Sequence, residues 1–463
     1  SITTRVFAYT NHTVLPEALE RWSVDLMGRL LPRHMEIIYE INNLFLESVK
    51  KQFPNDADLL RRISFIEEND HKQIRMPYLS IVGSHTINGV AELHTELLKT
   101  TVFKDFYKLF PERFQNKTNG ITPRLWLRNV NPELSKIITA KIGDGWITDL
   151  QQLRQLEAFA DEPEFQQSWR SVKRLKKEQL ANWLKQNSGV SIDPESLFDV
   201  QIKRIHEYKR QLLNILHVIF IYNQMLEHPE LPFVPRTFLF GGKAAPGYYI
   251  AKLIINLAND VARVVNHDPA MHDRLKVIFV PNYNVSVAEK IIPATDISQH
   301  ISTAGTEASG TGNMKFVLNG ALILGTKDGA NIEIAEEVGD DNIFIFGLTV
   351  DQVKALDAKG YNSTDYYNND EEIKACLDWL DTDYFTPGRP GELAAVKHSL
   401  LDGGDPYKVL ADFRSYSDAH QALGEAYKDK KRWARMAILN TALMGKFNSD
   451  RSIQDYVNNI WHL

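Results

Sequence analysis

The sequence predicts an α/β protein whose later part contains a doubly wound parallel sheet. After residue 188, strand-like apolar segments begin at residues 197, 236, 275, 321 and 343. Their spacing of 22 to 46 residues suits strand–helix–strand units. Between two of them, GYYIAKLIINLANDVARVVN (247–266) carries the wide apolar stripe of a helix that packs on a sheet. In such sheets, ligands bind in the loops beyond the carboxyl ends of the strands.

The elements before residue 188 are predicted to be mainly helical. Residues 1–9 suggest a strand that enters a turn, and residues 16–46 have apolar residues at helical spacing with a break or new helix start at Pro32. RMPYLSIVGS (75–84) suits a strand, and INGVAELHTELLKTTVF (87–103) suits an amphipathic helix. The following turn, FQNKTNGITPR (114–124), is a plausible domain boundary. Residues 133–187 are helix-rich and charged.

Composition restricts the classes of protein to consider. A chain of 463 residues is expected to form two domains. The net charge of −6 gives no general attraction to nucleic acid or to an anionic membrane, and no apolar run has the length of a membrane span. The single cysteine, Cys376, excludes an intrachain disulfide and fits a cytoplasmic protein. Because the chain lacks an initiator methionine, we expect it to be one piece of a longer polypeptide.

The first candidate site is EASGTGNMKFVLNG, residues 307–320. Gly305 and Gly310 have the spacing of a nucleotide-binding P-loop, but Thr311 and Gly312 stand where that motif needs lysine and Ser/Thr. A glycine-rich turn before a helix can still bind an anion through its N–H groups. Lys315 follows among apolar residues, where desolvation lowers an amine pKa and favours imine formation. A lysine whose head reaches water is the alternative.

The second candidate site is KRIHEYKR, residues 203–210, which follows a predicted strand and is expected to open a helix. Cations are disfavoured at a helix N-terminus, so a phosphate group is the natural compensation. The alternative is a solvated basic face paired with Glu207 and Asp199. A nucleic-acid site is disfavoured because the sequence has one basic cluster and no basic stripe.

Three weaker signals complete the candidate residues. The glycine-rich loop at 240–247 could bind a ligand or be only a tight turn. His12 precedes a helix and suits either a capping loop or a catalytic position. Residues 328–333 contain two acids but lack the alternating ligands of a calcium loop, so no metal site is expected.

Four segments of the sequence are specific enough to be compared with a known family: EASGTGNMKFVLNG, VQIKRIHEYKRQLLN, NKTNGITPR and AYTNHTVLPEALE. Together they resemble the α-glucan phosphorylases, the family of glycogen, starch and maltodextrin phosphorylases, and most closely the bacterial maltodextrin enzymes. The resemblance implies two Rossmann-like lobes of the glycosyltransferase-B kind with the active site in their cleft, the first lobe being only partly present. It assigns residues 1–119 to the glucan-binding domain, 120–449 to the cofactor domain and 450–463 to a helix that packs back on the first lobe.

The resemblance also implies a reaction. Inorganic phosphate would cleave terminal α-1,4-glucosidic bonds of maltodextrin or glycogen and release α-D-glucose 1-phosphate with retention. Pyridoxal 5'-phosphate, held as a Schiff base by Lys315, would relay a proton through its phosphate. The implied partners are the glucan, phosphate, the missing N-terminal portion and a second copy in a homodimer, but neither nucleic acid nor membrane.

Individual roles follow from the same resemblance. The residues implied to bind the cofactor are Lys315, Lys203, Thr311, Gly312 and Tyr283. The residues implied to bind the substrates are Arg204 and Lys209 for phosphate, and Glu307, Ser309, Gly310, Asn119 and His12 for the glucosyl unit. Lys203, Arg204, Lys209 and His12 are the implied catalytic residues, the last through its backbone carbonyl.

Two other functions remain compatible with the sequence. A nucleotide-sugar glycosyltransferase can share the two-lobed fold and a similar sugar loop, but it needs no imine-forming lysine. A non-catalytic carbohydrate-binding relative would be expected to have damaged catalytic positions, whereas Lys203, Lys209 and Lys315 are all present.

Overall fold

The computed structural model describes residues 2–463, so Ser1 and its part of the predicted first strand lie outside the described residues. The chain divides into two compact units. The first contains the chain up to Asn119 together with Gly305–Ser309 and Ser452–Leu463. The second contains Gly120–Ala304 and Gly310–Arg451.

The first unit has two small sheets. Its strands are β1 (Ala8–Thr10), β2 (Arg21–Ser23), β3 (Ile66–Glu67), β4 (Gln73–Arg75), β5 (Thr86–Gly89) and β6 (Phe114–Asn116). Strands β1, β5 and β6 form a parallel sheet with β5 in the centre, and β2, β4 and β3 form an antiparallel one. Its helices are α1 (Thr3–Val6), α2 (Val24–Leu30), α3 (Pro32–Gln52), α4 (Ala57–Ile63), α5 (Met76–Val82), α6 (Glu92–Leu97) and α7 (Lys104–Leu109).

Helix α3 forms much of the core of the first unit. It begins at Pro32, as predicted, because the first helical position needs no backbone N–H donor. Phe45 packs in parallel planes with Phe65 and Phe106, with ring centroids 5.7 and 6.2 Å away. The last residues of the chain join this unit, since the Asn88 side chain donates a hydrogen bond to the Tyr456 hydroxyl at 2.9 Å.

The prediction of a strand at residues 75–84 is wrong. This segment forms α5, and Pro77 lies in its first turn, where proline is tolerated. At the start of the chain, Thr3–Val6 is helical and the strand is confined to Ala8–Thr10.

The second unit is built on a six-stranded parallel sheet. Its strands are β7 (Leu197–Ile202), β8 (Arg236–Gly241), β9 (Leu275–Val280), β10 (Ile297–His300), β11 (Leu322–Gly325) and β12 (Phe344–Ile345). Their order is β12-β11-β10-β7-β8-β9, and every neighbouring pair is parallel. The five predicted strands are confirmed, and β10 was not predicted.

Helices surround this sheet. They are α8 (Pro132–Ile142), α9 (Pro163–Ser188), α10 (Gln211–Glu227), α11 (Tyr249–His267), α12 (Val285–Ala294), α13 (Gly312–Leu318), α14 (Asn331–Val338), α15 (Val350–Ala358), α16 (Ser363–Asn369), α17 (Glu371–Asp378), α18 (Ala394–Leu401), α19 (Val409–Lys428), α20 (Lys430–Ala442) and α21 (Ser449–Tyr456). Helix α11 confirms the predicted apolar stripe.

Two separate hydrophobic clusters lie against the sheet of the second unit. Along β8, Phe238 and Phe240 belong to one cluster and Leu239 belongs to the other. The first cluster contains side chains of α10, α11 and α19, whereas the second contains side chains of α9, α12 and α20. Alternate strand residues therefore pack on opposite sides, as a sheet covered by helices on both faces requires. None of the helices within residues 2–463 is long and apolar enough to cross a bilayer.

Candidate functional site

The loops after β7 and β8 lie side by side at the carboxyl ends of these strands. The backbone N–H of Lys203 donates to the Gly241 carbonyl at 2.9 Å, which extends the ladder by one residue. A Cβ on Gly242 would stand 1.9 Å from the Lys203 carbonyl oxygen. Only glycine lets the backbone at position 242 come this close to the Lys203 carbonyl. The glycine-rich loop after β8 (240–247) therefore holds Lys203 in place through its backbone.

The side chain of Lys203 reaches His300, the last residue of β10. Lys203 Nζ donates to His300 Nδ1 at 3.3 Å, so the ring proton of neutral His300 is on Nε2, 2.5 Å from Ser298 Oγ. Burial, followed by the charges of Lys203 and Lys209, holds the pKa of His300 well below its usual range. A Cβ on Gly312 would stand 3.4 Å from His300 Cε1. His300 therefore links the Lys203 ammonium to the start of α13.

The basic segment 203–210 lies in a loop, not in the first turns of a helix as predicted. A single 3-10 turn, Glu207–Lys209, separates β7 from α10, which begins only at Gln211. Lys209 Nζ lies 4.5 Å from the Tyr208 ring centroid. Arg204 is exposed.

The acidic partners that a solvated basic face would use are engaged elsewhere. Glu207 accepts a hydrogen bond from the Tyr248 hydroxyl at 2.6 Å. Asp199 is buried inside the sheet, where its carboxylate accepts from the Gln299 amide at 2.5 Å.

Lys315 lies on α13, above an indole ring. Its Nζ is 4.3 Å from the Trp126 ring centroid, and the side chain is partly buried. Burial lowers the pKa of this amine below its usual value, which raises the neutral, nucleophilic fraction. Asn319 connects α13 to the segment that carries Trp126. Its side-chain amide donates to the carbonyls of Trp126 at 2.6 Å and Lys315 at 2.9 Å.

The predicted anion-binding turn directly precedes α13. Gly310 has φ 73°, a conformation that favours glycine, and Thr311 occupies the N-cap position of the helix that begins at Gly312. Tyr283 packs near the end of β8, because a Cβ on Gly241 would stand 3.6 Å from Tyr283 Cδ2. Burial raises the pKa of the Tyr283 hydroxyl.

Four predicted site residues belong to the first unit, and the other predicted site residues belong to the second. His12, Asn119, Glu307 and Ser309 lie in the first unit. Asn119 donates its backbone N–H to the Val90 carbonyl at 3.1 Å.

A buried histidine holds the loop that carries His12. The Val90 N–H donates to His94 Nδ1 at 3.1 Å, so the proton on Nε2 is donated to Asn11 Oδ1 at 2.8 Å. That same oxygen accepts the Thr13 N–H at 2.9 Å. Burial lowers the pKa of His94 to about 4, and the ring is therefore neutral near pH 7.

The two acids of residues 328–333 have partners within the second unit. Asp328 accepts hydrogen bonds from Ser302 Oγ at 2.7 Å and the Gly329 N–H at 3.0 Å, and Glu333 pairs with Lys446 at 3.1 Å. Among residues 2–463 we find no cluster of three or more His, Cys, Asp or Glu side chains that could hold a metal ion.

Four residues that support the site had not been identified from the sequence. They are His300, Trp126, Asn319 and His94. Asn319 lies within the segment 307–320 but had no predicted role, and His300, Trp126 and His94 belong to none of the candidate sites. The partners that matter are distant in sequence, at separations of 193 for Asn319 and Trp126, 97 for Lys203 and His300, and 83 for His94 and Asn11.

Comparison with known proteins gives consistent matches along the whole chain. The family model described as carbohydrate phosphorylase matches residues 1–463. A glycogen phosphorylase of Synechocystis sp. is 57% identical over 461 residues, which cover all of this chain and 54% of that protein. The muscle and liver forms of glycogen phosphorylase from Homo sapiens are each 54% identical over 460 and 462 residues. The chain thus spans about half the length of these relatives, 54% in each case.

Proposed function

This chain belongs to the carbohydrate phosphorylase family, and we propose that it carries the cofactor- and phosphate-binding part of an α-glucan phosphorylase. The proposed reaction is phosphorolysis of terminal α-1,4-glucosidic bonds, with release of α-D-glucose 1-phosphate and retention of configuration. The observation that carries the proposal is the Lys315 amine, partly buried over Trp126 with a lowered pKa. A nucleotide-sugar glycosyltransferase would have no use for such a lysine.

The residues around Lys315 fit pyridoxal 5'-phosphate. The neutral amine can attach to an aldehyde, and the indole of Trp126 offers a flat apolar wall beside it. Lys203, Thr311 and the Gly312 N–H are the proposed donors to the cofactor phosphate, and Tyr283 the proposed wall at the end of β8. When bound, the cofactor would supply a phosphate group that titrates near neutral pH and can exchange a proton with the substrate phosphate.

Arg204 and Lys209 are proposed to bind the substrate phosphate. Arg204 is exposed on the loop after β7, and Lys209 lies on the 3-10 turn that follows. A guanidinium can grip two phosphate oxygens, and an ammonium adds a point charge. Two cations there would bring two anionic phosphates together despite their mutual repulsion, and would hold the substrate phosphate where it can donate a proton to the leaving glycosidic oxygen.

Glu307, Ser309, Gly310, Asn119 and His12 are proposed to bind the glucosyl unit. Their carboxylate, hydroxyl and backbone groups suit sugar hydroxyls. The backbone carbonyl of His12 is proposed to stabilise positive charge that develops on the sugar ring. The buried network of His94, Asn11 and Thr13 supports this role because it fixes the backbone on both sides of His12.

The proposal extends to the whole protein. Residues 1–119 would be the end of a glucan-binding domain, 120–449 the cofactor domain and 450–463 a C-terminal helix of the first domain, which the hydrogen bond from Asn88 to Tyr456 supports. We propose that polypeptide outside this chain supplies the rest of the glucan groove. We also propose that the protein is a cytoplasmic homodimer. Its proposed substrates are maltodextrin and glycogen.

The test uses the full-length protein. We expect glucose 1-phosphate from maltooligosaccharide or glycogen only when inorganic phosphate is present, and a bound-cofactor absorbance band that Lys315→Ala abolishes. Lys327→Ala, at an exposed lysine after β11, is the control and should keep the band. Absence of the band from the unaltered protein would reject the cofactor assignment and favour the glycosyltransferase.

A further inference from the structure

One cavity of the second unit lies at the amino end of β8, away from the candidate site. Its volume is about 280 Å³, and it is lined by residues of α10 and α19, by residues 231–236 and by Arg274. Arg236 begins β8 and Gly241 ends it, so the cavity and the Lys203 loop are roughly 17 Å apart along the strand. A ligand in this cavity would not occupy the proposed phosphate site.

Three hydrogen-bond donors of the cavity lining lack acceptors. Arg236 Nη1 donates to His420 Nδ1 at 2.5 Å, so neutral His420 carries its proton on Nε2. His420 Nε2, Arg236 Nε and Arg274 Nε are all buried and have no hydrogen-bond partner among residues 2–463. Buried donors without partners are rare in folded proteins, so three around one cavity are positioned for an acceptor that the protein itself does not supply, either water or a ligand.

The charge of the lining is positive. Arg236 has one carboxylate nearby, Asp199 at 3.8 Å, and Arg274 has no ion pair with any carboxylate in the described part of the chain. The other charged residues at the cavity, Lys428 and Glu425, pair with each other at 2.6 Å. The cavity therefore offers two guanidinium groups against one buried carboxylate.

Gly424 keeps the cavity open toward Arg236. It lies inside α19, where glycine costs about 1 kcal/mol relative to alanine. A Cβ at this position would stand 3.5 Å from Arg236 Nη2, so any larger side chain would fill the space beside the guanidinium. The lining also contains apolar side chains, among them Phe220, Ile221 and Phe233.

We propose that this cavity binds a small organic anion, with a carboxylate or phosphate head at Arg236, Arg274 and His420 and a compact apolar body against Phe220 and Phe233. The head would accept the three unpartnered hydrogen bonds and balance the positive charge. A volume of about 280 Å³ equals that of roughly nine water molecules in the liquid, enough for a single ring with its head group.

The experiment is calorimetric titration of the purified protein with phenylacetate, phenyl phosphate and the uncharged 2-phenylethanol, in a buffer free of inorganic phosphate so that no phosphate ion competes for the cavity. We expect one or both anions to bind and the alcohol to bind at least about tenfold more weakly, since a charge-assisted hydrogen bond is absent. The tighter of the two anions identifies the head group. Equal binding of the alcohol, or no binding of either anion at millimolar concentration, would overturn the proposal.

Two variants locate the binding. Arg274→Gln should weaken anion binding by at least about tenfold, and Gly424→Leu should abolish it by filling the cavity. Arg432→Gln, at an exposed arginine of α20, is the matched control and should change nothing. Thermal melting verifies that each variant is folded. Unchanged affinity in both Arg274→Gln and Gly424→Leu would show that the anions bind elsewhere and would overturn the assignment.

Discussion

Two arginines of the basic segment have opposite surroundings. Arg210 is fully buried and donates to Asp412 Oδ2 and to the Ile301 carbonyl, both at 2.6 Å, whereas Arg204 is exposed. Arg210→Met would leave the buried Asp412 carboxylate without its counter-charge, so we expect a loss of about 3–5 kcal/mol in the free energy of unfolding. Arg204→Met should change it by less than about 0.5 kcal/mol. Urea unfolding measures both, and similar losses would contradict the structural role of Arg210.

His300 is expected to orient Lys203. His300→Leu removes the acceptor for the Lys203 ammonium, and His300→Gln keeps an acceptor at a similar position. Because a hydrogen bond of this kind contributes about 1 kcal/mol, we expect His300→Leu to weaken the retention of the cofactor about fivefold. His300→Gln should restore most of this retention. If the two variants behave alike in cofactor absorbance, the orienting role is wrong.

His94 is expected to make the first unit sensitive to acid. The folded protein binds no proton at His94 until the pH nears the lowered pKa of about 4, whereas an unfolded histidine binds one near pH 6.5. The unfolded state therefore takes up more protons as the pH falls from 6.5 to 4, and stability decreases through this window. At pH 4 the loss attributable to His94 should reach about 3 kcal/mol.

The comparison with His94→Gln isolates this effect. The variant lacks the titrating ring, so its unfolding free energy should decline less steeply than that of the unaltered protein between pH 6.5 and 4. Chemical unfolding at several pH values gives both curves. Parallel curves over this range would mean that His94 titrates normally in the folded state.

At the scale of elements, the loop after β8 contains two glycines that differ in how well they tolerate a side chain. A Cβ on Gly242 would overlap the Lys203 carbonyl oxygen at 1.9 Å, but a Cβ on Gly247 would have no neighbour within 4 Å among the described residues. We expect Gly242→Ala to destabilise by about 1–3 kcal/mol and to displace Lys203, because backbone must move. Gly247→Ala should stay within about 0.5 kcal/mol. Thermal melting and the absorbance of the retained cofactor test this, and equal behaviour of the two variants would refute it.

The elements differ in how well the sequence predicts them. Strands β7, β8 and β9 each contain several apolar residues within six positions and were predicted, and so was helix α11 with its apolar stripe. Strand β10 was missed because, after Ile297, it continues with Ser298, Gln299 and His300, whose polar side chains are buried by hydrogen bonds rather than by apolar packing. The periodicity of apolar residues detects burial by apolar packing and does not detect burial by hydrogen bonds.

The site shows the same limit. Lys203, Lys315 and the turn at 310–312 could be found in the sequence because each stands in a local motif. Trp126 and His300 could not, since only the folded chain brings them to these lysines, at 4.3 Å from Nζ to ring centroid and 3.3 Å from Nζ to Nδ1. Sequence reasoning thus found the groups proposed to bind ligands and missed the groups that orient them.

At the scale of the whole molecule, the chain contains the proposed cofactor groups but only some of the proposed glucan contacts. Lys203, Tyr283, Thr311, Gly312 and Lys315 all lie in the second unit. The relatives that it matches are almost twice as long, since the chain covers 54% of them. Cofactor uptake and turnover should therefore have different requirements.

We predict that the 463-residue chain, produced by itself, takes up pyridoxal 5'-phosphate but releases no glucose 1-phosphate above background. Uptake depends on the second unit, whereas turnover also needs a glucan held in register with the substrate phosphate. Absorbance of the bound cofactor and a glucose 1-phosphate assay measure the two properties separately, with Lys315→Ala as the control for uptake. Turnover equal to that of the full-length protein would contradict the prediction, because all glucan contacts that the reaction requires would then lie within this chain.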